Sequence, residues 1–125
     1  MTQISLSRIK KALATLDKGF KPNPNDLERD GIIQRFEYCL ELSWKVSKRV
    51  LEDSGVPADS PKNVIRELAR LGWISSPDLW LRFLDARNKT SHLYNEDVAQ
   101  EIFSIVPEFM KEAKALLTVL EKNLK

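Results

Sequence analysis

The sequence predicts an all-α protein: an antiparallel up-and-down four-helix bundle with one extra short helix. Apolar residues recur at spacings of three and four through most of the chain, the period of a helix with one buried face. Ser-Pro pairs and Asn followed by acidic residues mark helix starts, and glycines mark stops. There is no alternating β-branched run, so no sheet is expected, and no internal repeat of about 20 to 50 residues to suggest a solenoid.

The first helix is expected from Ser5 to Lys18, with Leu6, Ile9, Leu13, Leu16 and Phe20 on one face. Ser5 or Ser7 would cap it and Gly19 would follow it. Two prolines and two asparagines make Lys21–Asn25 a loop. A long helix should follow from Asp26 to Asp53, capped by Asn25 or Asp26, with an acidic first turn that suits the helix dipole. Its apolar residues are Ile32, Ile33, Phe36, Cys39, Leu40, Trp44, Val46, Val50 and Leu51. They cover more than one narrow stripe, so this helix should be central or should also face a second subunit. Ser60-Pro61 opens a short third helix that ends at Leu71 before Gly72 and packs on one end or side of the bundle. Ser76-Pro77 opens the fourth helix, to Leu93. Asn95 with Glu96-Asp97 opens the fifth, to Asn123, with Pro107 predicting a kink near Ser104 to Val106.

Composition narrows the function classes. A chain of 125 residues and 42% hydrophobic content fits one domain over 1–125 with a real core and is not disordered by composition. Twenty basic against 18 acidic residues leave a net charge of +2, too little to indicate nucleic-acid binding unless charge is placed locally. A single cysteine, Cys39, excludes an internal disulfide and reads as an inert buried thiol. A single histidine excludes a His-rich metal site; no metal or cofactor is expected. No apolar run nears the ~20 residues of a membrane span, and the N-terminus has no export signal. A cytoplasmic protein is expected.

The one unusual polar cluster is Arg87-Asn88-Lys89-Thr90-Ser91-His92-Leu93-Tyr94. A neutral imidazole can take the 2′-hydroxyl proton of RNA and start attack on the adjacent phosphate. A guanidinium can hold that phosphate and balance its growing charge. Asn88 and Ser91 can hydrogen-bond phosphate or orient the imidazole. Five residues of helix place Arg87 and His92 about 140° apart, so they do not meet on one straight helix. They converge if the helix loosens near its end, or if a second copy of the chain faces them. The plainer reading makes His92 a helix cap and Arg87 a surface ion-pair partner of Asp85 or Glu96.

Glu37, Glu41 and Lys45 are spaced by four; a solvated face with a Glu41–Lys45 pair is favoured over polar support for Arg87. Trp44, Trp73 and Trp80 could stack on bases but are read as core. Arg82, Arg87 and Lys89 make a thin phosphate footprint. Lys111, Lys114, Lys122 and Lys125 are read as a solvated face.

Arg87-Asn88-x-x-x-His92-x-Tyr94 resembles the R-polar-x3-H motif of HEPN domains, with the H-x-Y ending of toxins encoded beside a minimal nucleotidyltransferase. Phe36-Glu37-Tyr38-Cys39-Leu40-Glu41-Leu42-Ser43-Trp44-Lys45 resembles a helix-two block of the same subgroup, also called nucleotidyltransferase substrate-binding proteins. The likeness extends to Ser60-Pro61 and Val64-Ile65-Arg66, so it spans nearly the whole chain. It implies a bundle that dimerises, with arginines and histidines of two protomers forming one metal-independent RNase cleft. Arg87, His92 and Asn88 would be catalytic, with Ser91, Lys89 and Glu41 in support. It also implies a nucleotidyltransferase antitoxin that transfers AMP onto Tyr94. The alternative is a non-catalytic subunit that binds substrate or nucleotide for that nucleotidyltransferase.

Overall fold

The computed structural model describes residues 4–124, and Lys125 of the last helix's lysine face lies outside them. Five helices form, α1 (Ser7–Gly19), α2 (Asp26–Asp53), α3 (Pro61–Arg70), α4 (Pro77–His92) and α5 (Glu96–Lys122), and no strand occurs among the described residues.

Caps fix most of these boundaries. Asn25 accepts a hydrogen bond from the Glu28 amide at 2.8 Å, and Glu28 accepts one from the Asn25 amide at 3.0 Å. This reciprocal box satisfies two donors that a helix start leaves open. Ser60 and Asn95 cap α3 and α5 through the amides of Asn63 and Val98. Two expected caps differ. Leu6, not Ser5 or Ser7, occupies the N-cap of α1, and Ser5 Oγ instead accepts from the Ser7 amide just inside the helix. Ser76 takes the N-cap of α4 without a side-chain capping bond, Pro77 having supplied the helical φ on its own. α5 continues through Pro107 as one helix, at the cost of the bond the proline amide would have made. Gly55 and Gly72 sit at φ +84° and +76°, where the left-handed turns after α2 and α3 favour glycine.

Ion pairs show the helix directions. Arg29 at the start of α2 meets Glu96 at the start of α5, so these two run parallel. Lys10 and Asp17 of α1 meet Glu121 and Lys114 of α5, so α1 runs against α5. Thr90 near the end of α4 reaches Glu37 near the start of α2, so α4 opposes both. This is the up-and-down order, but flattened. The parallel pair α2 and α5 packs most extensively through the centre, while α1 and α4 lie on opposite sides of it without touching. α3 caps a side, against α2 and α4. The broad apolar face of α2 is used by α1, α3, α4 and α5.

The core brings Phe36, Trp80, Phe83 and Phe109 together with ring centroids 5.0 to 5.9 Å apart in edge-to-face geometry. Trp80 is buried as expected, whereas Trp44 and Trp73 only pack against the core from its margin. Cys39 is fully buried, and that burial pushes its thiol up to about 11. Native protein should therefore react with a thiol-specific disulfide reagent only as fast as it unfolds. Rapid stoichiometric reaction without denaturant would show that α2 opens locally.

Candidate functional site

The polar cluster occupies the last turns of α4 and the link to α5. α4 stays helical through His92, and the Leu93 amide still bonds the Lys89 carbonyl at 2.9 Å. The helix end therefore does not loosen, and the expected angular separation of Arg87 and His92 persists. His92 is exposed and lines a groove of about 680 Å³ between α4 and α5, with Arg82, Lys89 and Glu101. Arg87 lines a recess of about 370 Å³ on the other side of α4, with Glu41, Trp44 and Pro61. Asn88 borders both. Within one chain the two side chains face different spaces, with Asn88 between them. Ser91 is exposed beside His92.

The partners of the cluster come from one stripe of α2. Asp30, Glu37 and Glu41 are spaced by seven and four, which keeps them within about 40° around the helix. Each meets one residue of the antiparallel α4 end. Glu41 Oε2 lies 3.2 Å from Arg87 Nε, Glu37 Oε2 accepts from Thr90 Oγ1 at 2.9 Å, and Asp30 Oδ1 accepts from Tyr94 Oη at 2.5 Å. Glu41 thus faces Arg87 as well as Lys45, which is 3.4 Å from its other oxygen, and the simple solvated-face reading of this stripe is corrected. The Arg87 ion pair is with Glu41 rather than Asp85 or Glu96. It is close but not aligned as a hydrogen bond, so the buried Arg87 Nε has no hydrogen-bond partner among the described residues. The guanidinium is thus held by charge, with no directed hydrogen bond from Nε.

The footprint of three positive charges is thinner still than its sequence suggests. Lys89 pairs with Glu101 at 2.5 Å and Arg87 with Glu41, leaving Arg82 exposed at the groove. Tyr94 is half-exposed, yet desolvation of its hydroxyl and then the Asp30 bond and charge push it up to about 12.

Arg29 carries no signal in the sequence and is central here. It is only 7% exposed and reaches Glu96 at 2.6 Å, Asp30 at 3.5 Å and Asp26 at 3.9 Å. It ties the start of α5, and so the link carrying Tyr94, to α2. Its pKa is raised, first by the Glu96 hydrogen bond, and the Glu96 carboxyl is held below 4.5 by the same bond. Glu28 is held below 4.5 by Lys21 and by the Asn25 amide. Groups with lowered folded pKa values contribute stability above the unfolded value of about 4.5 and lose it as pH falls through the folded value. The thermal midpoint should hold from neutral pH to about 5 and drop below about 4.5. Glu96→Gln should shallow that drop. An acid limb of unchanged steepness in the variant would remove Glu96 from the account.

Comparison with known proteins adds the family. Residues 4–122 match the family described as "Nucleotidyltransferase substrate binding protein like", and the chain belongs to it. Among its relatives is the Haemophilus influenzae (strain ATCC 51907 / DSM 11121 / KW20 / Rd) protein named "Probable ribonuclease HepT". The two are 34% identical over 98 residues, covering 74% of this chain and 67% of that protein. A crystal structure of a Thermus thermophilus protein superposes with a TM-score of 0.84 at 39% identity, over 90% of this chain and 98% of that one. A Haemophilus influenzae structure, described as revealing the fold of a substrate binding domain of a nucleotidyltransferase, superposes at 0.80 with 28% identity, over 94% and 99%. No helix among the described residues is long and apolar enough to cross a membrane.

Proposed function

We propose that the chain is a metal-independent endoribonuclease, active as a homodimer, and the toxin of a pair neutralised by a small nucleotidyltransferase. The observation behind this reading is the placement of Arg87 and His92 on two sides of one regular helix, with Asn88 bordering both spaces. A cleft that uses both groups on one phosphate then takes its second half from another copy. The ribonuclease name of a relative at 34% identity supports the activity.

In this reading His92 accepts the 2′-hydroxyl proton, and the 2′-oxygen attacks the adjacent phosphorus. Arg87 leaves Glu41 for the phosphate and stabilises the charge that grows on it. Asn88 positions the phosphate, supported by Ser91 and Lys89. The 5′-oxygen leaves with a proton returned from imidazolium, giving a 2′,3′-cyclic phosphate and a 5′-hydroxyl. AMP transferred to Tyr94, two residues beyond His92, would set a negative charge beside the cleft and repel the RNA backbone.

A second reading has its own observation. Glu41 and Glu101 already neutralise Arg87 and Lys89. That arrangement suits a non-catalytic subunit that binds substrate or nucleotide for the nucleotidyltransferase. RNA cleavage in excess EDTA by the purified chain, with His92→Ala beside it, separates the two. Cleavage by the first alone, leaving cyclic phosphate ends, is the expected result. No cleavage by a folded dimer would give the second reading the weight.

A further inference from the structure

We propose that Asp30 is the general base for AMP transfer to Tyr94, an inference that rests on the acceptor role proposed above. Tyr94 Oη donates its hydrogen bond to Asp30 Oδ1 at 2.5 Å, so the proton that must leave already points at a carboxylate. Tyr94 is 46% exposed as a residue, so a large substrate can still approach it while Asp30 anchors the hydroxyl. Asp30 is itself held, 3.5 Å from the buried Arg29, which is fixed in turn by Glu96 at 2.6 Å. His92 does not compete for the role: it lines the α4–α5 groove, whereas Tyr94 turns toward α2. Of the three carboxylates on the α2 stripe, Glu37 meets Thr90 and Glu41 meets Arg87, which leaves Asp30 to the tyrosine.

The step balances. A Tyr94 Oη lone pair attacks the α-phosphorus of ATP bound by the nucleotidyltransferase. The Oη–Pα bond forms, the bond from Pα to the bridging oxygen breaks, and pyrophosphate leaves with its electron pair. The phenol proton passes to Asp30. A base is needed because the phenol holds its proton tightly here. At about 12, only about one hydroxyl in 10⁵ is ionised at pH 7, so the proton has to move as the new bond forms. Charges facing the hydroxyl are Asp30, Arg29 and Glu37 of α2, with Glu96 of α5 reached through Arg29. Arg29 is the one cation among them, and it is already balanced by Glu96, Asp30 and Asp26.

The test combines the full-length chain with its nucleotidyltransferase, ATP and Mg²⁺, and follows single-turnover AMP addition by intact mass. Wild type should gain AMP and Tyr94→Phe should not. Asp30→Asn keeps an acceptor oxygen for the hydroxyl but loses the base. It should slow by about 10²-fold or more, with a rate that climbs about tenfold per pH unit as phenolate becomes the nucleophile. Asp30→Glu should recover part of the loss. Modification of Asp30→Asn at the wild-type rate overturns this inference alone. Absence of AMP on wild type overturns the acceptor reading and this inference together. A partner-free check guards against a variant that merely fails to dock: in Asp30→Asn the ultraviolet titration of Tyr94, isolated by difference from Tyr94→Phe, should move down from about 12. An unmoved titration means that the Asp30 contact is absent in solution and also overturns the proposal.

Discussion

His92→Ala should lower RNA cleavage by about 10²- to 10⁴-fold, the range that a positioned general base contributes. The same substitution should leave the helical fold and its thermal midpoint nearly unchanged. His92 is the exposed last residue of α4, outside the buried core, so truncating it disturbs little packing. A histidine acting only as a helix cap predicts the reverse: intact cleavage and a stability loss of about 0.3–1 kcal/mol. Arg87 gives a parallel test with a different signature. Arg87→Ala should cost a comparable factor in cleavage, and Arg87→Lys should restore little. An ammonium is a point charge that cannot reproduce the planar two-nitrogen fork of a guanidinium on phosphate. Equal cleavage by the lysine variant would make Arg87 a general source of positive charge and not a directed clamp.

The parts of this protein that were legible from sequence are those in which cause and effect are near neighbours in the chain. The bounds Asp26–Asp53 of α2 follow from Asn25 with an acidic first turn and from Gly55, all local signals. Proline after serine placed the starts of α3 and α4 in the same way. Where two candidate caps flanked an apolar residue, as at Ser5-Leu6-Ser7, local chemistry did not choose, and Leu6 took the position. The candidate site was legible on one side only. Arg87, Asn88, His92 and Tyr94 stand together in sequence, but the carboxylates that hold their neighbourhood are 46 to 64 residues away on α2. One signal for them was present. The spacing of Asp30, Glu37 and Glu41 marks a single acidic stripe beside the apolar face of α2, where it can meet polar groups of a neighbouring helix. Arg29 had no such signal, since a charged residue in a first helical turn is ordinarily solvated. Its burial depends on how α5 begins beside α2, which is a fact of packing and not of any local pattern.

The core yields the largest expected effect on stability, and it bears on the site through α4. Phe109→Ala should destabilise the protein by about 3–5 kcal/mol, the usual cost of removing a buried phenyl ring and leaving a cavity. Against a total of about 5–15 kcal/mol for a domain of ordinary stability, this is a large fraction and should lower the thermal midpoint by roughly 10–20 °C. The ring is fully buried on α5, with its centroid 5.0 Å from that of Phe36 on α2, 5.4 Å from Phe83 and 5.9 Å from Trp80, both on α4. It therefore joins three helices at once, and little nearby can collapse into its place in a close-packed interior. Denaturant unfolding of the variant measures the loss directly. A loss below about 1 kcal/mol would mean that the four rings repack around the gap. Trp80→Phe is the informative contrast in the same cluster. Its indole Nε1 is buried without a hydrogen-bond partner among the described residues, so the substitution removes an unsatisfied donor along with some packing. These effects oppose each other, and the loss should be much smaller than at Phe109. If Phe109→Ala also lowers cleavage at temperatures where it remains folded, the seating of α4 against α2 and α5 controls how Arg87 and His92 are presented. If cleavage per folded molecule is unchanged, the last turns of α4 are held by the α2 carboxylate stripe independently of the core beneath them.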